Sequence, residues 1–220
     1  MSRTPIGRAS QPERASTSKV DSDISPPRTF SFSWFVTYKF LNSLFMGLSI
    51  GSVFTLYAPL SPATFSAGGI GLALATLIIA TQYHKLFNQD WFFRLSFLVE
   101  CVILLGVIAV LWLPIDQQLA MFVYLGYQLS FAFGGYLVRY ETLLIARDQD
   151  LKTLDVAKQT AYLVGMGLAW LIYQGLESYW SMASANQQVV ALYYVLMIVE
   201  LAVLYTLSRS FPKRRHLGRS

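Results

Sequence analysis

A chain of 220 residues that is 55% hydrophobic and only 13% charged falls well below the ~25% charged share of soluble domains. Several of its apolar runs reach the ~20 residues that cross ~30 Å of hydrocarbon. The net charge of +5 comes from 17 Lys and Arg placed in tails and short loops beside those runs, a membrane-topology pattern that makes anionic lipid, and not nucleic acid, the expected partner.

Residues 1–33 are rich in Ser, Pro, Arg and Thr. They lack the apolar surface needed to offset chain entropy and read as a disordered cytoplasmic tail. Residues 34–209 read as a transmembrane domain and residues 210–220 as a basic cytoplasmic tail. Trp34, Phe35 and Tyr38 mark a membrane interface, with Lys39 able to snorkel back to it. The first span is expected over Thr37–Ala58 and, with no small-residue cleavage site behind it, is read as a retained span. Pro59 and Pro62 end it. A second span follows over Phe65–Lys85, then a polar hairpin holding His84, Lys85, Asp90 and Arg94. The third span covers Phe92–Leu113 and the fourth Gln118–Arg139. The charged link from Glu141 to Asp155 alternates in sign and reads as a solvated extension of the helices beside it. The fifth span covers Val156–Leu176, a loop holds Glu177, Trp180 and Asn186, and the sixth span covers Val189–Ser208. Cys101 lies inside an apolar run and reads as a packing residue.

Orientation follows from the cations, which resist translocation. In a six-span arrangement all 17 fall on one side: six in the N-tail and its junction, two in the second link, four in the fourth and five in the C-tail. The expectation is therefore an all-α integral membrane protein of six transmembrane helices, both termini inside, in the cytoplasmic (inner or plasma) membrane.

Small residues at i, i+4 spacing let membrane helices approach closely. Ser43, Gly47, Gly51 and Thr55 form such a stripe on the first span, and Ala67, Gly71 and Ala75 on the second. Gly126, Ser130 and Gly134 form one on the fourth span, and Ala161, Gly165 and Ala169 on the fifth. The third and sixth spans have none. Striped, striped, plain is thus repeated, and because three spans separate the copies the second triplet is inverted. With this pattern the stretch Trp34–Arg209 resembles one half of a major facilitator superfamily transporter, built from two inverted three-helix repeats. The resemblance implies that spans one, two, four and five line a cavity or face the other half, and that spans three and six are peripheral. The family's loop signature would fall at Ala80 to Asn88, where Ala80 replaces its first Gly, His84 its Asp, Lys85 its Arg and Phe87 its second Gly. Since the chain carries six helices of the usual twelve, the resemblance implies a homo-oligomer or a second membrane subunit and a small-molecule solute.

Ionisable groups inside a bilayer cost at least ~2.5–3.5 kcal/mol and are functional candidates. Glu100 and Glu200 lie at similar depth from the cytoplasmic side, where they could form a proton site or could each be held neutral by a Tyr or Ser. A second polar set comprises Tyr124 and Gln128 on the fourth span, followed by Tyr127, Tyr136 and Arg139, with Asn42, Gln159 and Tyr162 able to join. In the transporter reading these line the cavity, with Arg139 at its cytoplasmic mouth. Two histidines and one cysteine cannot build a His- or Cys-rich metal site in one chain. No H-E-x-x-H, G-x-S-x-G or G-x-x-x-x-G-K-[ST] motif occurs. No cofactor and no catalysis are expected; the alternative to a transporter is a non-transporting membrane accessory or assembly protein.

Overall fold

The structure is a computed structural model that describes residues 30–145, 147–180 and 184–212, the side chains of 179 and 180 excepted. Most of the two tails anticipated from the sequence lies outside these residues. Local chemistry sets the helix boundaries. Ser61 caps α2 (Pro62–Thr81), its Oγ accepting from the Thr64 amide, with Pro62 at the first helical position, where its missing N–H costs nothing. After the short α3 (Tyr83–Leu86), Asn88 caps α4 (Gln89–Trp112) through the Trp91 amide at 2.9 Å. The extended Leu113 ahead of Pro114 ends α4, because a residue before proline is pushed out of the helical region. Asp116 then caps α5 (Gln117–Leu144) through the Leu119 amide at 2.9 Å. The remaining helices are α1 (Phe32–Tyr57), α6 (Asp148–Trp180) and α7 (Ala185–Ser210).

Helices α1, α2, α4, α5 and α7 are each long and apolar enough to cross a membrane, which makes the chain a multi-pass, all-α membrane protein. The exception, α6, carries five charged residues from Asp148 to Lys158 and then 18 uncharged ones, 159–176, before Glu177. The second predicted span is displaced by three to four residues toward the N-terminus, its helix running Pro62–Thr81, with Lys85 in the separate α3. Glu177 and Asn186, read as loop residues, stand inside α6 and α7.

Five long-helix pairings run α2–α5–α4–α7–α1–α6, and α1 also touches α5. Exchanging α1 with α5, α2 with α6 and α4 with α7 turns the α1–α6 pair into α5–α2 and the α1–α7 pair into α5–α4. The α4–α7 and α1–α5 pairs map onto themselves. One pairing breaks the pattern: α6 touches α7, whereas α2 and α4 barely meet. The ends of α1 and α7 lie side by side, the Ser31 amide donating to the Ser210 carbonyl at 3.0 Å.

Two larger apolar clusters and a smaller third, of Leu60, Ala120 and Tyr124, form the core. One of the larger pair gathers Phe45, Leu48, Val107, Val123, Tyr193 and Leu196. The other, near the Ser31–Ser210 end, is built on Phe35, Phe92 and Phe211, whose ring centroids lie 5.8–6.1 Å apart. The resemblance implied peripheral positions for the third and sixth spans. Instead α7 is the most buried of the five apolar helices, while α2 has no buried residue. The buried residues of α4 and α7 in the two clusters are branched or aromatic: Phe92, Val107 and Val110 on α4, and Val189, Leu192, Tyr193, Leu196, Val203 and Leu207 on α7.

Small-residue stripes are used unequally. A Cβ on Gly47 would overlap the Tyr162 carbonyl oxygen, and one on Gly165 would sit 2.5 Å from that of Leu44, so backbone meets backbone where α1 crosses α6. Gly51 adjoins the Tyr173 ring and Gly126 the Val102 side chain, each 3.3 Å from the Cβ position, a snug fit in which the neighbouring side chain would have to give slightly. Gly71 and Gly134 face open space. Between α2 and α5 the close approach falls one turn earlier, at Gly68 under the Tyr124 ring, where the Tyr124 hydroxyl also donates to the Phe65 carbonyl at 3.4 Å.

Candidate functional site

Asn42 of α1, Glu100 of α4 and Glu200 of α7 lie in one layer between the two larger apolar clusters. On α1 the clusters meet between Leu41 and Leu44, on α4 between Phe93 and Ile103, and on α7 near Val199. Asn42, Glu100 and Glu200 fall in those gaps. Glu100 is 2% exposed and Glu200 0%, each well inside its helix; Glu200 is ten residues from Ser210, or ~15 Å along the axis.

Glu100 is well satisfied. The buried Tyr38 hydroxyl donates to Oε1 at 2.7 Å, and Asn42 Nδ2 donates to Oε1 at 3.1 Å and Oε2 at 3.3 Å. Both Glu200 oxygens are buried with no hydrogen-bond partner. Both carboxyls stand between the same two clusters, on helices that pack against each other. Of the alternatives weighed, Glu100 has its tyrosine and Glu200 has neither tyrosine nor serine. Tyr38, read from the sequence as an interface ring, is the missed member. Its spacing held the clue: Tyr38 and Asn42 are i, i+4, a polar pair on one face of an apolar helix.

Asn42 thus faces Glu100 and does not join the α5 set. A spacing of four residues, about one turn, fixes the face of a helix but not which neighbour that face meets. Tyr124 and Gln128 line a groove of about 530 Å³ between α2 and α5, together with Thr64, Gly71 and Ala75. Gln128 Oε1 is buried there without a partner. Two hydrogen bonds tie α5 to the neighbouring segments: the Tyr124 hydroxyl donates to the Phe65 carbonyl at 3.4 Å and the Tyr136 hydroxyl to the Leu86 carbonyl at 2.8 Å. Arg139 is exposed, its guanidinium 5.4 Å from the Tyr83 ring centroid, a stacking position and not a cavity mouth. A smaller cavity of about 340 Å³ between α4 and α5 is lined by Val102, Gly106, Phe122 and Gly126.

An ion-paired cluster stands beside the carboxyl layer. Glu141, 3% exposed, pairs with Lys39 at 2.5 Å and with Lys158 at 2.9 Å, joining α5 to α1 and α6. Lys39 is 11% exposed and stacks over the Phe35 and Tyr38 rings, 5.6 and 5.2 Å from their centroids. The solvated extension expected from Glu141 onward is corrected at Glu141 itself, which faces inward. Lys39 turns to a carboxylate and does not snorkel to the interface. Among the described residues no group of three or more His, Cys, Asp or Glu could hold a metal ion. Cys101 is half-buried, as its packing role anticipated.

Compared with known protein families, curated proteins and solved structures, the chain matches none.

Proposed function

We propose that the chain is a six-span protein of the cytoplasmic membrane, with both termini inside, that binds or moves a small solute as a homodimer or with another membrane subunit. Its design is that of one major facilitator-like half, two inverted three-helix units. The observation that carries this reading is the exchange of helix pairings: α1–α6 with α5–α2 and α1–α7 with α5–α4. An inverted repeat requires those matches, and a bundle without internal symmetry does not. A sixth crossing by α6 is supported by its length of 33 residues and by its close backbone approach to α1. The adjacent ends of α1 and α7 support an even number of crossings, and the one-sided cations support their direction.

One observation favours the rival reading, a non-transporting accessory protein. The groove and cavity along α5 have mostly apolar linings, and α2 offers an unburied apolar face to a partner. Flux separates the two. In sealed proteoliposomes the purified protein should carry at least one small solute of a screened panel, with Glu100→Gln lowering the rate at least ~10-fold, as loss of an intramembrane functional carboxyl does. Arg139→Ala should leave the rate near wild type, because Arg139 lies outside the layer. Absence of flux across the panel, with stable co-purification in a larger membrane complex, would favour the accessory reading.

A further inference from the structure

We propose that Glu100 and Glu200 form a proton-binding pair that holds one exchangeable proton between two carboxyl groups. The inference does not depend on whether a solute is moved.

Glu200 is fully buried, both its oxygens lack a partner, and it stands between the same two apolar clusters as the buried Glu100, on helices that pack against each other. Two carboxylates in one water-poor layer cannot both ionise without great cost. Glu100 already receives the Tyr38 hydroxyl and the Asn42 amide, donors that favour its charged form. Glu200, which receives nothing, is the better seat for the proton.

The charges facing the pair give the same count. From α1 come Tyr38 and Lys39; from α4 itself, Cys101 beside Glu100; from α5, Tyr127, which Glu200 acts upon, and Glu141, which reaches the layer through Tyr38. Lys158 of α6 enters only through Glu141. Asp155, its other partner, is 60% exposed and screened by water. The cations joined to this region are therefore Lys39 and Lys158, 11% and 26% exposed, and the buried acids are Glu141, Glu100 and Glu200. With all three acids ionised the interior carries one surplus negative charge, and with one proton on the pair it is neutral. Lys39 is already engaged by the Glu141 carboxylate and by the Phe35 and Tyr38 rings, so it is not free to serve Glu200 as a counter-ion.

The test is infrared difference spectroscopy of the full chain in lipid nanodiscs, titrated with pH and read at the C=O stretch of a neutral carboxylic acid, with circular dichroism monitoring the fold. The wild type should show a neutral-acid band that diminishes as pH rises while the helices stay intact, and Glu200→Gln should remove it. Tyr38→Phe, which keeps the ring and deletes only the hydroxyl donated to Glu100, should shift the midpoint of the titration. It provides an answer even if Glu200→Gln does not fold. The proposal is overturned by a band that survives Glu200→Gln, by a titration indifferent to Tyr38→Phe, by a band that never changes while the fold is intact, or by the absence of any neutral-acid band.

Discussion

Glu141→Gln should destabilise the protein by about 3–5 kcal/mol, the range seen when one member of a buried ion pair is removed. Two ammonium groups converge on this carboxylate from α1 and α6, and Lys39 is only 11% exposed. An uncharged amide would leave Lys39 desolvated with no ion-pair partner. Lys158→Met should cost less, because Lys158 is 26% exposed and its loss leaves the Lys39–Glu141 pair intact. Replacing Lys39 and Glu141 together by Met and Leu should recover most of the loss, since an apolar pair incurs no desolvation penalty. Equilibrium unfolding in mixed micelles, followed by circular dichroism, measures all three. A Glu141→Gln protein within about 1 kcal/mol of wild type, the range of an exposed pair, would mean that the cluster is solvated after all.

Gly47→Ala and Gly165→Ala should each cost about 1–3 kcal/mol, the usual range for overpacking, and Gly47→Leu more. The obstacle in both cases is a carbonyl oxygen of the facing helix, so the whole helix has to move and no side chain can turn aside. Gly71→Ala and Gly134→Ala, made where nothing lies within 4 Å, should be neutral or stabilising by up to about 1 kcal/mol through helix propensity. The same unfolding measurement on the four variants checks the contrast. Equal losses at all four positions would show that the two triplets pack alike.

Those contrasts also mark what was legible in the sequence. Apolar run length and the Pro and Asp punctuation around Pro62, Pro114 and Asp116 located the six long helices to within a few residues, except in α6, whose charged first third prolongs the apolar segment by two turns. The depth of Glu100 and Glu200 could be counted from neighbouring charges, so their common layer was foreseeable. Partner identity was not. Equal Gly spacing permits close approach without requiring it, which is why Gly47 and Gly165 are engaged while Gly71 and Gly134 are free. Glu141 lies among alternating charges, and order along the chain does not reveal which of them turns inward when α5 packs beside α1 and α6. The burial of α7 was hidden for a related reason: Val203 and Leu207 are fully buried in a cluster rich in aromatic rings, and a helix needs no glycine stripe to be buried.

The account rests most heavily on six crossings with both ends inside, and α6 is the helix on which that count turns. Cysteine accessibility tests it directly. With Cys101 replaced by Ser, single cysteines at Ser61, Lys85, Pro114, Gln149 and Ser184 can be challenged in intact cells with a membrane-impermeant maleimide. The predicted result is labelling at positions 61, 114 and 184 from outside, with 85 and 149 labelled only after permeabilisation. Labelling of 149 and 184 from the same side would show that α6 does not cross, and would contradict the two-triplet architecture.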